Sequence, residues 1–323
     1  MDGAFDMKIC VVGSLNTDMV IRTKTYPRRG ETLFGETLDI LPGGKGGNAA
    51  TAIARLGKKV LLVGSVGQDS FGDRLLAELK ANGVDVSGVK RSAAAKTGTA
   101  MITIDAYAEN TMLVVRGANA DLAPEDVDKV LPELQSCRIL LTQMETGERA
   151  VVYAMQKAKE NGSLVILDPA PAEGITMRAL QYADIVIPNE QETKYMTGIE
   201  IDGPDDARQA ARYFQSLGVS RSIIKMGQRG CLVFTPERSE YIEAIPVQAV
   251  DTVVGDTFSG ALACALADGK DLFQAARFAS VVSALKATRF GAQVGIPTLA
   301  EVRSFIAERG LREYLDGTAA AHD

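Results

Sequence analysis

Histidine is almost absent from this sequence of 323 residues, whose single histidine, His322, lies next to the C-terminus. Ser-His-Asp and Cys-His catalysis and His-ligated metal sites need an imidazole inside the fold. The sequence therefore excludes these classes of enzyme. Any catalysis must use carboxylates, lysine or arginine, hydroxyl groups and backbone N–H groups.

Long apolar runs, an excess of basic residues and closely spaced cysteines are also missing. No run approaches the ~18 apolar residues of a membrane span, and the first ten residues lack the pattern of a signal peptide. The 35 Lys and Arg against 41 Asp and Glu give a net charge of −6, which argues against binding to nucleic acid or to a membrane surface. The four cysteines form no CxxC pair, so we expect no disulfide framework, no cysteine zinc site and a cytoplasmic location.

Short runs rich in Val, Ile and Leu recur along the chain and are typical of buried parallel strands. They lie at residues 9–12, 60–63, 139–141, 164–167, 185–187 and 222–225. Other segments have apolar residues at helical spacing. These are residues 71–79, before an Asn-Gly pair; 127–134; 207–217, stopped by Gly218; and 302–306, after a capping box of Thr298 and Glu301. The alternation predicts one doubly wound α/β domain over residues 1–323, with a mainly parallel sheet between helices.

Two stretches, residues 14–40 and 97–116, contain strand-like alternation without intervening helices. Residues 105–110 have the composition of a hairpin loop between two such strands. We expect these strands to form a small antiparallel sheet, separate from the main one. A sheet with one apolar face could cover a site or contact a second copy of itself.

Glycine is concentrated in the run Pro-Gly-Gly-Lys-Gly-Gly-Asn at residues 42–48. A Walker A loop needs Ser or Thr after its lysine, whereas Gly46 follows Lys45, and the GxGxxG spacing is absent as well. The run is compatible with a tight strand-to-helix connection. Four glycines around one lysine exceed what a turn requires, which favours close approach of the backbone to a small polar ligand.

Polar residues also follow several strands or open helices. Residues 251–262 predict a helix that begins near Asp256 or Thr257; its N-terminus could bind a phosphate, or Asp256 could be only an N-cap. Asn-Glu-Gln-Glu at 189–192 could hold hydrated Mg²⁺ or simply start another helix. Residues 16–18 and 143–145 follow two strands and could present side chains to a polyol at the same edge of the sheet.

In this order, the motifs resemble the ribokinase branch of the PfkB sugar kinases. The likeness covers roughly residues 8–310, and the set is far more specific than any single motif. Its motifs lie at residues 13–18, 43–48, 116–119, 168–172, 188–192, 251–256 and 291–293. The resemblance implies a ribokinase-like fold with a small β lid, a furanose substrate phosphorylated by ATP, and a homodimer formed through the lid.

The resemblance also implies roles for individual residues. The furanose would be held by Asn16, Asp18, Gly44, Lys45, Gly46, Asn48, Glu145 and Asp256. Such carboxylates, amides and a lysine can satisfy hydroxyls that both donate and accept. Asp256 would be the general base for a primary hydroxyl that attacks the γ-phosphate. Backbone N–H groups within 252–256, namely those of Val254, Gly255 and Asp256, would form the anion hole.

By the same resemblance, Asn189 and Glu192 would support Mg²⁺ and the phosphates of ATP. The nucleotide would be lined by Lys225, Gly227, Gly230 and Ser280, with Gly255 at its phosphates. Members of this branch often bind a monovalent cation such as K⁺ beside the anion hole. Its ligands, mostly backbone oxygens, would come from Asp251, Val253, Lys286, Arg289, Gly291 and Gly295.

The loop before the expected base departs from the family. The family pattern Asp-Thr-x-Gly-Ala-Gly-Asp is seven residues long, whereas residues 251–256 number six, with Val254 where small residues are usual. One residue spans ~3.3–3.6 Å, and misplacing a reacting group by ~1 Å can reduce a rate ~100-fold. We therefore expect either a rebuilt loop or impaired activity. Lys225 is a milder departure, because a small hydroxylated residue is common there.

The leading hypothesis is an ATP-dependent kinase that makes ribose 5-phosphate from ribose. Kinases of fructose, deoxyribose or nucleosides are alternatives, and the glycine run and Asn16 favour ribose over fructose and nucleosides. A second hypothesis, motivated by the short loop, is a protein that binds sugar or nucleotide with weak or no transferase activity.

Overall fold

Strands and helices alternate along most of the chain. The computed structural model describes residues 8–107, 109–174, 176–251, 254–312 and 314. Its strands are β1 (Ile9–Val12), β2 (Asn16–Arg22), β3 (Thr37–Gly43), β4 (Val60–Gly67), β5 (Asp85–Ser92), β6 (Gly98–Ile104), β7 (Asn110–Val115), β8 (Ile139–Thr142), β9 (Leu164–Leu167), β10 (Ile185–Val186), β11 (Arg221–Lys225), β12 (Cys231–Phe234) and β13 (Ser239–Ile242). Its α-helices are α1 (Lys45–Arg55), α2 (Ser70–Ala81), α3 (Pro124–Asp128), α4 (Leu131–Gln135), α5 (Glu148–Glu160), α6 (Met177–Leu180), α7 (Glu190–Thr197), α8 (Pro204–Ser216), α9 (Gly255–Ala267), α10 (Leu272–Ala287) and α11 (Leu299–Arg309).

The main sheet has the order β13-β12-β11-β10-β9-β8-β1-β4-β5. Neighbouring strands in this order pair in parallel along β11-β10-β9-β8-β1-β4-β5. At one edge, β12 and β13 pair antiparallel. Each of the six predicted apolar runs overlaps one of its strands. The predicted doubly wound, mainly parallel α/β sandwich is confirmed.

Two apolar cores cover the two faces of this sheet, because successive side chains of a strand point in opposite directions. In β1, Ile9 and Val11 belong to a core shared with α1, α9 and α10, whereas Cys10 and Val12 belong to one shared with α5 and α8. Both faces are therefore buried, which explains why the strands are apolar runs and not alternating patterns.

Three of the predicted helix ends are confirmed. The C-cap of α2 is Asn82, Gly218 follows α8 with a φ of 95°, and Thr298 forms a capping box with Glu301. The single helix expected over 127–134 is wrong, because the structure has α3 and α4 there. Between them Val130 has a φ of −120°, and the ring of Pro132 would clash with the backbone four residues earlier in a continuous helix.

The strands of residues 14–40 and 97–116 form a separate sheet, the lid, with the order β3-β2-β6-β7. The prediction that it is antiparallel is wrong in one respect, since β2 and β6 pair in parallel while β2–β3 and β6–β7 are antiparallel. The reason lies in the main sheet. Because β2 follows β1, β6 follows β5, and β1 and β5 run the same way, the chain enters the lid twice in one direction.

All four cysteines are buried and unbonded. Of the helices in the described ranges, none has both the length and the hydropathy needed to cross a bilayer.

Candidate active site

The site lies where the strand order reverses, between the C-terminal ends of β1 and β8. From β1 the chain proceeds outward through β4 and β5, and from β8 it proceeds the other way through β9, β10 and β11. Connections that leave in opposite directions open a crevice, and doubly wound sheets bind ligands there. Residues 13–16 and 143–145, which follow these two strands, are thus brought together.

Four buried side chains form a hydrogen-bonded group at this edge, the amide cluster: Ser14, Asn16, Asn119 and Glu145. Ser14 Oγ donates to Glu145 Oε2, and Asn16 Nδ2 donates to the same oxygen at 3.4 Å. Asn119 Nδ2 donates to Asn16 Oδ1 at 2.8 Å. Since buried polar networks strengthen one another in a low dielectric, these bonds fix the orientation of Asn16 and Glu145.

Two members of the amide cluster, Ser14 and Asn119, had no role assigned from the sequence. Ser14 Oγ accepts a bond from Lys45 N at 2.9 Å, which ties the turn after β1 to the start of α1. Asn119 accepts from Leu15 N at 2.8 Å and donates to Leu15 O at 3.1 Å. The sequence could have pointed to Ser14 and Asn119 because they lie in the motifs at 13–18 and 116–119. Those motifs do not indicate which residues they hydrogen-bond.

The glycine run allows two backbone segments to pack against each other. Gly44 has a φ of 87°, and a Cβ there would lie 2.6 Å from Asn16 N. A Cβ on Gly46 would lie 2.5 Å from the carbonyl carbon of Gly13. These two glycines are therefore required by the tight connection itself, which places Lys45 N at 2.9 Å from Ser14 Oγ. Backbone contact of Gly44 and Gly46 with a ligand stays a prediction.

Asp256 faces this same crevice from α9. It is 7% exposed, and its Oδ2 accepts a bond from Asn48 Nδ2 at 2.8 Å. The negative charge of Asp256 is the main reason why the pKa of Lys45 is raised, so the two groups lie close together. Asn48 Oδ1 is buried and has no hydrogen-bond partner in the described part of the chain. That oxygen can accept a bond from a ligand hydroxyl.

Asp18 completes a group of three carboxylates around Lys45. The pKa of Asp18 is raised to about 7, mainly by burial and then by the charges of Glu145 and Asp256, against the opposing charge of Lys45. A crevice with several acceptors, one amide oxygen without a partner and a central ammonium suits a ligand that carries several hydroxyl groups.

A second group, the lysine cluster, lies at the ends of β9 and β11 and consists of Asp168, Lys225 and Ser259. Lys225 Nζ contacts the two carboxylate oxygens of Asp168 at 3.0 and 3.2 Å, and Ser259 Oγ donates to Asp168 Oδ2 at 2.6 Å. The ion pair is almost fully buried, with side-chain exposures of 14% and 2%. An ammonium thus lies at the edge of the crevice in a fixed position.

The lysine cluster adjoins the start of α9. The helix begins at Gly255, and no side chain caps it. Asp256 lies inside the first turn, so its alternative role as the N-cap is wrong. A Cβ on Gly255 would lie 3.7 Å from Lys225 Nζ. A positive helix end beside an ammonium fits a phosphate. Of the expected anion hole, Val254, Gly255 and Asp256 are described, and residues 252 and 253 lie outside the described residues.

Asn189 and Glu192 do start a helix, as the alternative interpretation held. Glu192 N donates to Asn189 Oδ1 and Asn189 N donates to Glu192 Oε2, both at 2.8 Å. Glu192 nevertheless interacts with the lysine cluster. Its pKa is raised to about 7, mainly by burial, while the charge of Lys225 lowers it and that of Asp168 raises it. The described residues contain no cluster of three metal-ligating side chains. One or two carboxylates beside phosphates fit Mg²⁺, which is usually held in that way.

The residues expected to line a nucleotide have local structural roles as well. Gly227 and Gly230 have φ values of 55° and 104° in the turn between β11 and β12, a conformation that favours glycine. Ser280 Oγ donates to Ala276 O at 2.9 Å within α10. Contact of these three residues with a nucleotide stays a prediction.

The expected ligands of a monovalent cation come together, but a lysine side chain is among them. Lys286 Nζ contacts Asp251 Oδ2 at 2.9 Å, and Gly291 N donates to that same oxygen at 3.1 Å. Lys286 Nζ also donates to Arg289 O at 3.3 Å. The carboxylate is therefore already paired with a positive charge, and these residues do not fit a separate K⁺ ion. Val253 lies outside the described residues.

The fold and the site define a class of protein, the kinases of small hydroxylated substrates, in which a carboxylate lies at a helix start beneath a β lid. The chain belongs to the pfkB family of carbohydrate kinases, whose model matches residues 6–299. It is an ATP-dependent carbohydrate kinase, as the resemblance implied.

Known proteins resemble the chain over nearly its whole length. The ribokinase of Haemophilus influenzae is 36% identical over 299 residues, 92% of this chain and 98% of that protein. The deoxyribokinase of Salmonella typhi is 33% identical over 303 residues, 93% and 99%. A solved structure of Arabidopsis thaliana ribokinase with ribose and ATP has a TM-score of 0.86 at 30% identity, covering 93% and 98%. A putative ribokinase II from E. coli with ATP and Mg²⁺ has a TM-score of 0.80 at 25% identity, covering 94% and 99%.

Proposed function

We propose that this carbohydrate kinase transfers the γ-phosphoryl group of ATP to the primary hydroxyl of D-ribose, giving D-ribose 5-phosphate and ADP. A bond forms between the sugar oxygen and the γ-phosphorus, the bond from that phosphorus to the β,γ-bridging oxygen breaks, and the proton of the hydroxyl passes to Asp256. The observation that carries the proposal is the position of Asp256, between Lys45 and Asn48 on one side and the uncapped start of α9 on the other.

The ribose would lie between the amide cluster and Asp256. Asn16 and Glu145 are held in place by hydrogen bonds within the cluster, so they can bind sugar hydroxyls without first reorganising. Asp18, Lys45 and Asn48 would bind the remaining hydroxyls. With the ring held in this way, the primary hydroxyl points towards Asp256, as a general base must be within hydrogen-bond reach of its proton.

The phosphates of ATP would lie at the start of α9. The N–H groups of Val254, Gly255 and Asp256 would bind the transferred group, and Lys225 would neutralise part of its charge. Glu192, with Asn189, would hold Mg²⁺, which neutralises charge on the β- and γ-phosphates when bound. Gly227, Gly230 and Ser280 would line the nucleotide.

A coupled assay of ADP release tests this proposal. Purified protein is supplied with ATP and Mg²⁺ and with ribose, 2-deoxyribose, fructose or adenosine in turn. We expect the highest kcat/KM with ribose. Good turnover of another of these substrates with none of ribose would reject ribose as the substrate while retaining the kinase.

The short loop before Asp256 favours a second candidate, a protein that binds sugar with impaired transfer. Inserting Gly between Val254 and Gly255 restores the length of the family pattern. If the short loop impairs transfer, the insertion raises kcat; if the loop has adapted, it lowers kcat. Calorimetry that shows ribose binding, with no phosphoryl transfer at any Mg²⁺ or K⁺ concentration, would favour this second candidate.

We also propose that the lid forms a homodimer contact. All residues of β7 are exposed, and the strand presents consecutive apolar side chains at Met112, Leu113, Val114 and Val115. An apolar edge strand left uncovered promotes association. Light scattering on Leu113→Lys should show a shift from dimer to monomer, and a wild-type monomer would reject the contact. A cytoplasmic location stays a prediction from the four cysteines.

A further inference from the structure

Lys286 is the most completely buried charged residue of the described chain. Its side chain, in the last turn of α10, has no exposed surface. A buried ammonium is stable only when it is paired and hydrogen-bonded. Lys286 Nζ satisfies this requirement with Asp251 Oδ2 at 2.9 Å and Arg289 O at 3.3 Å. The resemblance to the family implied for this residue only a place among the ligands of a monovalent cation, which are mostly backbone oxygens.

Carbonyl oxygens gather beside this ion pair. A Cβ built on Gly295 would lie 2.8 to 3.0 Å from the carbonyl oxygens of Arg289, Phe290 and Gly291. Carbonyl oxygens around one carboxylate are the donor set that suits a hard monovalent cation. In this chain the ammonium of Lys286 lies among these oxygens, so a side chain supplies the positive charge that a bound cation would otherwise bring.

The charges of Asp251 and Lys286 also disfavour binding of a K⁺ ion. Asp251 supplies one negative charge, and Lys286 balances it at contact distance. A K⁺ ion beside the same carboxylate would be repelled by the ammonium, and little water is present in a buried site to screen that repulsion. Displacing the ammonium would leave it buried without a partner.

The ion pair fixes the beginning of the loop that leads to α9. Val250 N and Asp251 N both donate to Ala287 O, at 2.7 and 3.1 Å, one residue after Lys286. The Lys286 side chain then holds the carboxylate of Asp251. Backbone and side chain together therefore anchor the residue from which the chain proceeds to Val254 and the N-terminus of α9.

We propose that the ammonium of Lys286 takes the place of the monovalent cation in this chain, so that neither its stability nor its phosphoryl transfer responds to K⁺. The transfer part rests on the proposed function. The stability part rests only on the contacts of Lys286 and Asp251.

The test compares K⁺ with Na⁺ at equal ionic strength. For the wild-type protein we expect coincident melting curves and equal kcat in the two salts. Lys286→Ala removes the ammonium and opens space for an ion, so K⁺ should raise its melting temperature by several degrees over Na⁺ and restore lost turnover. Lys286→Met removes the charge but fills the space, so it should respond much less.

Lys90→Ala is the matched control, because Lys90 also pairs with a buried carboxylate, that of Asp126, at 2.9 Å. Lys90 lies on β5, away from the carbonyl oxygens of residues 289–291. Loss of the Lys90 side chain should therefore give no preference for K⁺ over Na⁺ and no change in kcat. A K⁺-selective response of Lys90→Ala would mean that the Lys286→Ala result is not specific.

Wild-type crystals soaked in Tl⁺, a K⁺ substitute with a strong anomalous signal, show directly whether a monovalent cation binds beside Asp251. This measurement needs neither enzymatic activity nor a folded Lys286→Ala variant. We expect no anomalous peak beside Asp251 in the wild-type protein. A peak there, or wild-type melting or turnover that rises with K⁺, would overturn the proposal. If no sugar is phosphorylated, the proposed function fails, but the melting and Tl⁺ measurements still decide the role of Lys286.

Discussion

The amide cluster and the lysine cluster are held together differently. In the amide cluster every side chain is hydrogen-bonded to another member, through neutral groups or the carboxylate of Glu145. In the lysine cluster an ion pair and a hydroxyl group lie beside an uncapped helix start. The amide cluster joins loops that are more than 100 residues apart in sequence, from residue 14 to residue 145. The lysine cluster instead adds a charge to a helix end.

The difference corresponds to two kinds of ligand group, hydroxyls and phosphates. Hydroxyl groups are discriminated by directional bonds, so the groups that bind them must be fixed in angle as well as in place. Phosphates are bound by charge, which decays slowly with distance and tolerates some displacement. The two clusters should therefore respond differently to mutation, one in sugar affinity and the other in the handling of ATP.

The largest effect is expected at Asp256, which lies between the two clusters. Asp256→Asn keeps the bond to Asn48 possible but removes the proton acceptor, so kcat should fall by ~100- to 10,000-fold. Ribose affinity, measured by calorimetry, should change only modestly. Asp268→Asn, at the C-terminal end of the same helix, is the control and should leave kcat unchanged. Unchanged turnover in Asp256→Asn would remove its role as the base.

A smaller but still large effect is expected at the lysine cluster. Lys225→Met removes the ammonium beside Gly255, and we expect kcat/KM for ATP to fall by ~100-fold, as for loss of one group that stabilises a transferred charge. Ribose affinity should not change. Lys159→Met, which breaks the ion pair with Asp184 at the opposite edge of the sheet, controls for loss of a surface charge. Equal losses for ribose and ATP would contradict separate roles for the two clusters.

The converse result is expected at the amide cluster. Asn119→Ala removes the donor to Asn16 Oδ1 and leaves Leu15 N without its partner, so we expect ribose affinity to fall by about tenfold, equivalent to ~1.4 kcal/mol. KM for ATP should stay within error in steady-state assays. Asn161→Ala, on the surface after α5, is the control. Loss of ATP affinity in Asn119→Ala alone would contradict this assignment.

The smallest effect concerns pH. Burial raises the pKa of Asp18 to about 7, so the sugar-free protein holds this carboxyl protonated below that pH. If the carboxylate accepts sugar hydroxyls, ribose affinity should rise by about tenfold between pH 6 and pH 8, as the ionised fraction increases. Stability of the sugar-free protein should fall over the range in which pH rises from about 4 to 7, because the folded pKa exceeds the unfolded one.

Calorimetry and melting curves at several pH values check both trends. Asp18→Asn cannot titrate, and both slopes should flatten in that variant. A wild-type ribose affinity that does not vary between pH 6 and pH 8 would show that Asp18 does not contact the sugar as a carboxylate.

Much of the main sheet could be predicted because its strands are buried on both faces and so appear as unbroken apolar runs. The meeting of Asn16 and Glu145 could be predicted for a related reason, since the loops after the parallel strands β1 and β8 meet at one edge. The approach of Asp256 to Lys45 was implied only by the family resemblance, because neither residue follows a parallel strand of the main sheet. The mixed pairing in the lid could not be predicted from its strands alone. It depends on the direction in which β1 and β5 deliver the chain to the lid.

The specific bonds between side chains that are distant in sequence could not be predicted, even where the resemblance implied that the residues share a site. Asn119 and Asn16 are 103 residues apart, and Lys286 and Asp251 are 35 apart. No local pattern distinguishes Lys286 from an exposed lysine in the last turn of a helix, where basic residues are favoured anyway. The break between α3 and α4 was visible in principle, because Pro132 lies within the predicted helix.

The lid and the floor of the crevice share their backbone. Asn16 is the first residue of β2, it pairs with Gly98, the first residue of β6, and a Cβ on Gly98 would lie 2.3 Å from both Asn16 Oδ1 and Asn119 Nδ2. A change in the tilt of the lid would therefore also move the amide of Asn16, which we propose binds the sugar. The cover of the crevice and this sugar-binding group would then move together.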